Sequence, residues 1–171
     1  MLKTPSLTGD QIQQFSDDGF LVLRGGFSAD DMARIADWTD EVLALPEVSG
    51  RHWVFHEKSQ KGDDRDLVSR IERIAPYHDG FKALTEALKA PVAQLLGEEA
   101  ALFKEKINYK HPGAAGYAPH QDAPAYPFGS LHITMLLALD SADTSNGCLE
   151  FAKGAHHNGV IDVNADGCLP I

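Results

Sequence analysis

The chain has 171 residues, enough for one domain with a sizeable core and too few for two comfortable ones. It is 43% hydrophobic and 23% charged, ordinary for a soluble globular protein, and its formal net charge of -10 with no Lys/Arg cluster argues against nucleic acid as a partner. No apolar run approaches the roughly 18 to 20 residues that span a bilayer, MLKTPSLTGDQ lacks the apolar stretch of a signal peptide, and two cysteines without CxxC spacing predict no disulfide framework, so the expected setting is a reducing cytoplasm with no membrane partner.

The first expected element is a short helix in GDQIQQFSDDG, capped by Thr8, with Ile12 and Phe15 on one face and Gly19 at its end. FLVLRG, 20 to 25, reads as a short buried strand. Residues 28 to 45 read as a second helix, with Ser28 as N-cap and Met32, Ile35, Trp38, Val42 and Leu43 at helical spacing before Pro46. The polar stretch 49 to 66 reads as a loop carrying a short aromatic strand at Trp53 to Phe55. Residues 81 to 99 form a long amphipathic helix that Pro91 is expected to kink or divide. From Ala101 onward come short apolar runs broken by turn signals. Helices first and strands later predict an α+β domain over 1–171, helical to about residue 99, with its later strands in a sandwich or barrel.

His120-Gln121-Asp122 opens the strand-rich part. On an extended segment, residues i and i+2 share a face about 6.5 to 7 Å apart, so both side chains can lean toward one ion. Two histidines and one carboxylate with open positions suit a non-haem Fe(II) oxygenase. The plainer alternative is a turn in which Asp122 caps an amide and His120 is solvated. Lys106, Asn108 and Lys110 alternate along KEKINYK and share one strand face, suited to the carboxylates of a co-substrate or an anionic substrate, or simply to solvent. Thr134 interrupts the apolar ITMLLAL and needs a partner if buried; His132 falls on the same face by period. Tyr126, four residues after Asp122, suits a substrate wall. Trp53, Phe55 and His56 suit either a lid with an aromatic seat for a cationic group or a plain anchor to the core. Arg70 and Arg73 in SRIERI suit an anionic substrate or a surface helix with i,i+3 charges.

The ordered blocks from Lys110 to Gly113, His120 to Asp122, Tyr126 to Phe128, Asn146 to Leu149 and Gly154 to His156, with the opening FSDDGFLVLRGGFS, resemble the phytanoyl-CoA dioxygenase family of Fe(II)/2-oxoglutarate-dependent oxygenases. The resemblance runs from about residue 10 to the last residues. It implies a double-stranded β-helix (jelly roll, cupin-like) with flanking helices, whose core here is 100–171, and Fe(II) held by His120, Asp122 and a later histidine. It also implies 2-oxoglutarate and O2 as co-substrates, and hydroxylation of a C–H bond with release of succinate and CO2. The resemblance implies that Asn108, Thr134 and Lys106 approach 2-oxoglutarate, while Tyr126, Trp53 and Lys110 approach the substrate. The lysines and aromatics favour a small charged metabolite such as an aminoalkylphosphonate.

Within the chain, His156 and His157 are the downstream candidates for the second histidine. The resemblance instead implies that this ligand, and an arginine for 2-oxoglutarate, follow beyond Ile171, together with the last strands. The chain is accordingly expected to be either a fragment of a longer protein or a shortened one that recruits His156, His157 or a partner chain. A cupin-like module that binds metal without turnover is the alternative to an enzyme.

Overall fold

The computed structural model describes residues 2–126, 131–165 and 168–169. The first helix, α1 (Gly9–Asp18), starts where expected because Thr8 and Gln11 form a reciprocal capping box, and it stops at Gly19, whose φ of 79° is left-handed. α2 (Ala29–Leu43) is capped by Ser28, whose hydroxyl accepts from Asp31 N at 3.1 Å. The arginine-bonded Asp31 carboxyl is held below its ordinary range first by Arg34 and then by Ser28. α3 (Asp79–Leu96) begins two residues earlier than expected, because the His78 ring accepts from Phe81 N at 3.2 Å. It also runs through Pro91 undivided, with the proline buried. Gln94 on α3 pins the N-terminal segment through both bonds to the Leu7 backbone.

One strand lies within the stretch expected to be mainly loop, and a second begins where that stretch ends. β1 (Trp53–Lys58) pairs antiparallel with β2 (Asp66–Glu72), which pairs antiparallel with β3 (Lys106–Asn108), giving a three-stranded sheet in the order β1-β2-β3. The aromatic strand is therefore real but longer than Trp53 to Phe55, and the loop shrinks to a hairpin turn closed by Ser59 N on Arg65 O at 2.9 Å. In that turn the Ser59 hydroxyl, and then Arg65, hold the Asp63 carboxyl down at about 2. Arg70 lies on β2 and Arg73 just past it, so the surface-helix reading of these arginines is overturned. Leu67, Val68, Ile71 and Ile74, buried or half-buried, give that stretch a sheet partner and a core on one face.

Register defines the two faces of the sheet. Val54, Ile71 and Ile107 stand side by side and pack against Ile35, Val42, Phe81 and Leu84 of the helices. The opposite face carries the rows Trp53–Glu72–Lys106 and Phe55–Arg70–Asn108. The domain is thus α+β, with helices covering one face of an antiparallel sheet and polar and aromatic side chains on the other.

FLVLRG is not a strand: residues 20 to 23 are irregular, 24 to 25 turn, and Val22 is exposed. Phe20 instead stacks on Phe151 with centroids 5.2 Å apart. Residues 131–139 and 148–151 also form no ladder, so no jelly roll is observed among the described residues. Leu137 and Leu139 still pack on the core, whereas Leu131, Leu136, Leu149 and Phe151 are exposed. Neither Cys148 nor Cys168 forms a disulfide. Among the described residues, no helix is long and apolar enough to cross a membrane.

Candidate metal centre

The segment leading to His120 is placed by the hairpin. The turn at Pro112-Gly113 closes with Ala114 N on His111 O, and Gly113 O accepts from Gln60 N at 2.8 Å. Gly113 has φ 98°, and a side chain there would collide with the Ser59 hydroxyl at 2.9 Å, so glycine is required twice over. Ala115 N donates to Glu57 Oε1, which carries the chain along the β1–β2 hairpin toward His120.

His120 and Asp122 converge, but not as neighbours on a strand. Asp122 has helical dihedrals and opens a 3-10 turn over Ala123–Ala125, with Pro124 inside it. This turn, rather than extended backbone, brings His120 Nε2 to 3.6 Å from Asp122 Oδ1. The other ring nitrogen, Nδ1, lies 2.7 Å from Ala118 O. A carbonyl only accepts, so Nδ1 carries the proton and Nε2 keeps a lone pair on the side of the carboxylate. That tautomer suits a metal-ligating imidazole. Asp122 Oδ2 accepts from the Thr134 hydroxyl at 3.0 Å, leaving Oδ1 facing His120.

Gln121 is more than a spacer. Its amide donates to Gly159 O at 3.0 Å and its carbonyl accepts from Ile161 N at 2.8 Å, tying the 159–161 backbone beside the pair. This tie has no local sequence signal, because its partners lie about forty residues away. The same region brings Leu169 N to Pro119 O at 2.8 Å.

His156 and His157 are not recruited to the pair. Their rings lie 3.9 Å apart, and their Nε2 atoms donate to Ser16 O at 3.0 Å and Asp17 O at 3.3 Å. Those carbonyls belong to the last turn of α1, which lacks intrahelical partners. Lys153 adds an ion pair to Asp18 at 3.0 Å. Among the described residues, no third His, Cys, Asp or Glu joins His120 and Asp122. The donor set therefore fits a borderline or hard divalent metal as two ligands of a larger set.

The other expected site residues divide into two groups. Lys106 and Asn108 stand on the outer sheet face, and both are exposed. Asn108 lines a recess of about 10 Å³ with Glu57, Ser69, Lys110 and Tyr117, room for about one water. Lys110 Nζ donates to Ala115 O at 2.9 Å and sits 4.6 Å from the Tyr117 ring centre. Trp53 and Tyr126 instead border a second, larger cleft, where the Tyr126 ring meets Phe103 at 5.2 Å and His132 at 5.5 Å. His56 bridges Glu47 and Asp66 at 2.9 and 2.7 Å. Phe128 lies outside the described residues.

Comparison with known proteins adds a family. A family model described as Phytanoyl-CoA dioxygenase (PhyH) matches residues 15–168. The chain is 40% identical over 166 residues to a 2-aminoethylphosphonate dioxygenase from Uncultured bacterium HF130_AEPn_1, covering 95% of this chain and 63% of that protein. It is 37% identical to a methylphosphonate hydroxylase from Gimesia maris, covering 96% and 63%. It is also 27% identical, over 90% of this chain and 55% of the relative, to a Stutzerimonas stutzeri protein named "Probable alpha-ketoglutarate-dependent hypophosphite dioxygenase". The chain thus spans less than two thirds of the length of these curated relatives. No solved structure gives a significant match.

Proposed function

The chain belongs to the phytanoyl-CoA dioxygenase family, and from that premise we propose that it carries the metal-binding part of an Fe(II)/2-oxoglutarate-dependent dioxygenase. The reaction is hydroxylation of a C–H bond in a small charged metabolite, with 2-oxoglutarate and O2 consumed and succinate and CO2 released. An aminoalkylphosphonate is the preferred substrate class, supported by relatives named for 2-aminoethylphosphonate and methylphosphonate. The single observation that carries the reading is the convergence of His120 Nε2 on Asp122 Oδ1 with His120 Nδ1 tied to Ala118 O.

In this reading His120 and Asp122 hold the metal, which supplies the O2 chemistry when bound with its keto-acid co-substrate. The protein orients the donors. Ala118 O fixes the imidazole tautomer, and the Thr134 hydroxyl fixes the carboxylate, so one oxygen stays directed at the metal position. Thr134 thereby acts on the ligand and keeps its own oxygen lone pairs for other contacts. Asn108 and Lys106 offer an amide and an ammonium for the carboxylates of 2-oxoglutarate from the outer sheet face. The family's jelly-roll core and a further histidine and arginine belong to this reading of the whole protein.

A second reading has one observation in its favour: among the described residues only two metal donors come together. It is a cupin-like module that binds metal without turnover. Manganese(II) titration followed by electron paramagnetic resonance tests the shared premise, with binding expected in the wild type and lost in Asp122→Ala. Equal binding by both proteins rejects the site. Succinate production from 2-oxoglutarate in the presence of a phosphonate selects the enzyme; metal binding without succinate selects the module.

A further inference from the structure

Two Asn-Gly pairs, Asn146-Gly147 and Asn158-Gly159, lie in the later part of the chain. Asparagine is chemically labile, and a following glycine exposes it most, because no side chain hinders the glycine nitrogen as it approaches the amide. The reaction needs no enzyme. The glycine nitrogen bonds to the asparagine Cγ, the Cγ–Nδ2 bond breaks, and ammonia leaves with the proton that the glycine nitrogen gives up. Water then opens the five-membered succinimide at either carbonyl, which yields aspartate or isoaspartate.

As dipeptides the two pairs are the same. Both asparagines are exposed, and both glycines have open space where a Cβ would stand. The structure separates them. The Asn146 amide is locked: Nδ2 donates to Ser141 O at 2.7 Å, and Oδ1 accepts from Asp143 N at 2.8 Å. Ser145 braces the same turn, its backbone N and its hydroxyl both donating to Asp143 Oδ1, at 2.8 and 2.6 Å. Turning that amide toward Gly147 N breaks both of its own bonds. Asn158 instead ends a 3-10 turn over Ala155–Asn158, and among the described residues its side chain has no hydrogen-bond partner. The restraint on its reacting groups is the longer bond from Gly159 N to His156 O, 3.3 Å.

We propose that Asn158-Gly159 is a site of spontaneous deamidation, and that its isoaspartate product loosens the Gln121 tie beside His120 and Asp122. Isoaspartate carries the main chain through Cβ and Cγ, which adds one carbon to the backbone just ahead of Gly159. That carbon falls between two anchors. Upstream, His156 and His157 fasten the 3-10 turn to the Ser16 and Asp17 carbonyls of α1. Downstream, Gln121 holds Gly159 O and Ile161 N. With the upstream anchor fixed, the longer backbone displaces Gly159 and Ile161 from the Gln121 amide. Neither step depends on the oxygenase reading.

Incubation of the 171-residue chain in mildly alkaline buffer, followed by peptide mass mapping, tests it. Cleavage after Lys153 puts the two asparagines in separate peptides. One net hydrogen bond changes a local equilibrium about fivefold, and Asn146 has two to break where Asn158 has one weaker restraint. Asn158 is therefore expected to convert about fivefold faster than Asn146 in the folded chain, and the difference is expected to vanish in urea. Hydrogen exchange at the Ile161 amide is expected to quicken in the converted chain. Asn158→Gln, whose longer side chain closes the ring poorly, is expected to stop conversion at 158 and to keep Ile161 exchange at its starting rate through the same incubation. Conversion of Asn146 as fast as Asn158 in the folded chain overturns the proposal, as does a preference for Asn158 that persists in urea. Ile161 exchange that stays unchanged after conversion overturns it too.

Discussion

The Thr134 hydroxyl donates to Asp122 Oδ2 at 3.0 Å across twelve residues of chain. It thereby fixes the rotamer of a carboxylate whose other oxygen faces His120. Partners of this kind, which orient a metal ligand, typically account for about 10–100-fold in affinity. Thr134→Val removes the donor while keeping the shape, and is expected to weaken manganese(II) binding by about tenfold. Thr134→Ser is expected to restore most of it. A Val variant that binds metal as the wild type does would show that the carboxylate needs no such guide.

Gln121 closes two hydrogen bonds to the 159–161 backbone. Each is of the kind that contributes about 1 kcal/mol net. Gln121→Ala is expected to lower stability by about 1–2 kcal/mol in urea denaturation and to speed hydrogen exchange at the Ile161 amide. Exchange at Ile161 equal to that of the wild type would exclude the tie.

Gly19 and Gly97 end two helices with nearly the same left-handed φ, 79° and 74°. Their surroundings differ. A Cβ on Gly97 meets nothing within 4 Å, whereas one on Gly19 would overlap the His156 ring at Nδ1. Gly97→Ala is expected to cost about 1–2 kcal/mol, the usual penalty of that backbone region. Gly19→Ala is expected to cost more, and pairing it with His156→Ala should recover the excess. Equal melting temperatures for the two single variants would refute the contact between α1 and residues 154–157.

Tyr109 predicts the alkaline limit of stability. Its hydroxyl donates to Thr39 O at 3.2 Å, and burial, followed by the Asp40 charge, pushes its pKa up to about 12. The unfolded value is near 10. The folded protein therefore keeps the proton longer, so this stabilisation is complete below pH 10 and is lost as pH rises from about 10 to 12. Tyr109→Phe is expected to flatten the fall in melting temperature over that window. An unchanged profile would place the alkaline loss elsewhere.

The helices were legible because their signals are local. Thr8 with Gln11, Ser28 with Asp31, and Gly19 each act within one turn of the residue they cap, and the apolar period marks the buried face. α3 starts two residues before its first clear sequence signal because histidine is an uncommon cap, and Pro91 does not break it because packing holds the helix through the proline. FLVLRG misled for a different reason. Its apolar run resembles a buried strand, but a strand exists only with a ladder partner, and Phe20 finds Phe151 instead. SRIERI failed in the converse direction: its charges hid a strand whose partners, Val54 and Ile107, are distant in sequence.

By itself the sequence determined the residue types of the candidate metal pair, the exposed face shared by Lys106 and Asn108, and the family. These follow from motif order and from periods of two and 3.6 residues, which need no knowledge of distant chain. Only the tertiary structure decided that His120 and Asp122 meet through a turn, that Thr134 holds Asp122, and that His156 and His157 cap α1 instead of joining the pair. It alone gathered Trp53, Lys104 and Tyr126 around one cleft. Each of those contacts joins residues from separate segments or depends on backbone dihedrals. Such contacts are selected by packing and hydrogen-bond satisfaction across the whole domain, and no short stretch of sequence encodes them.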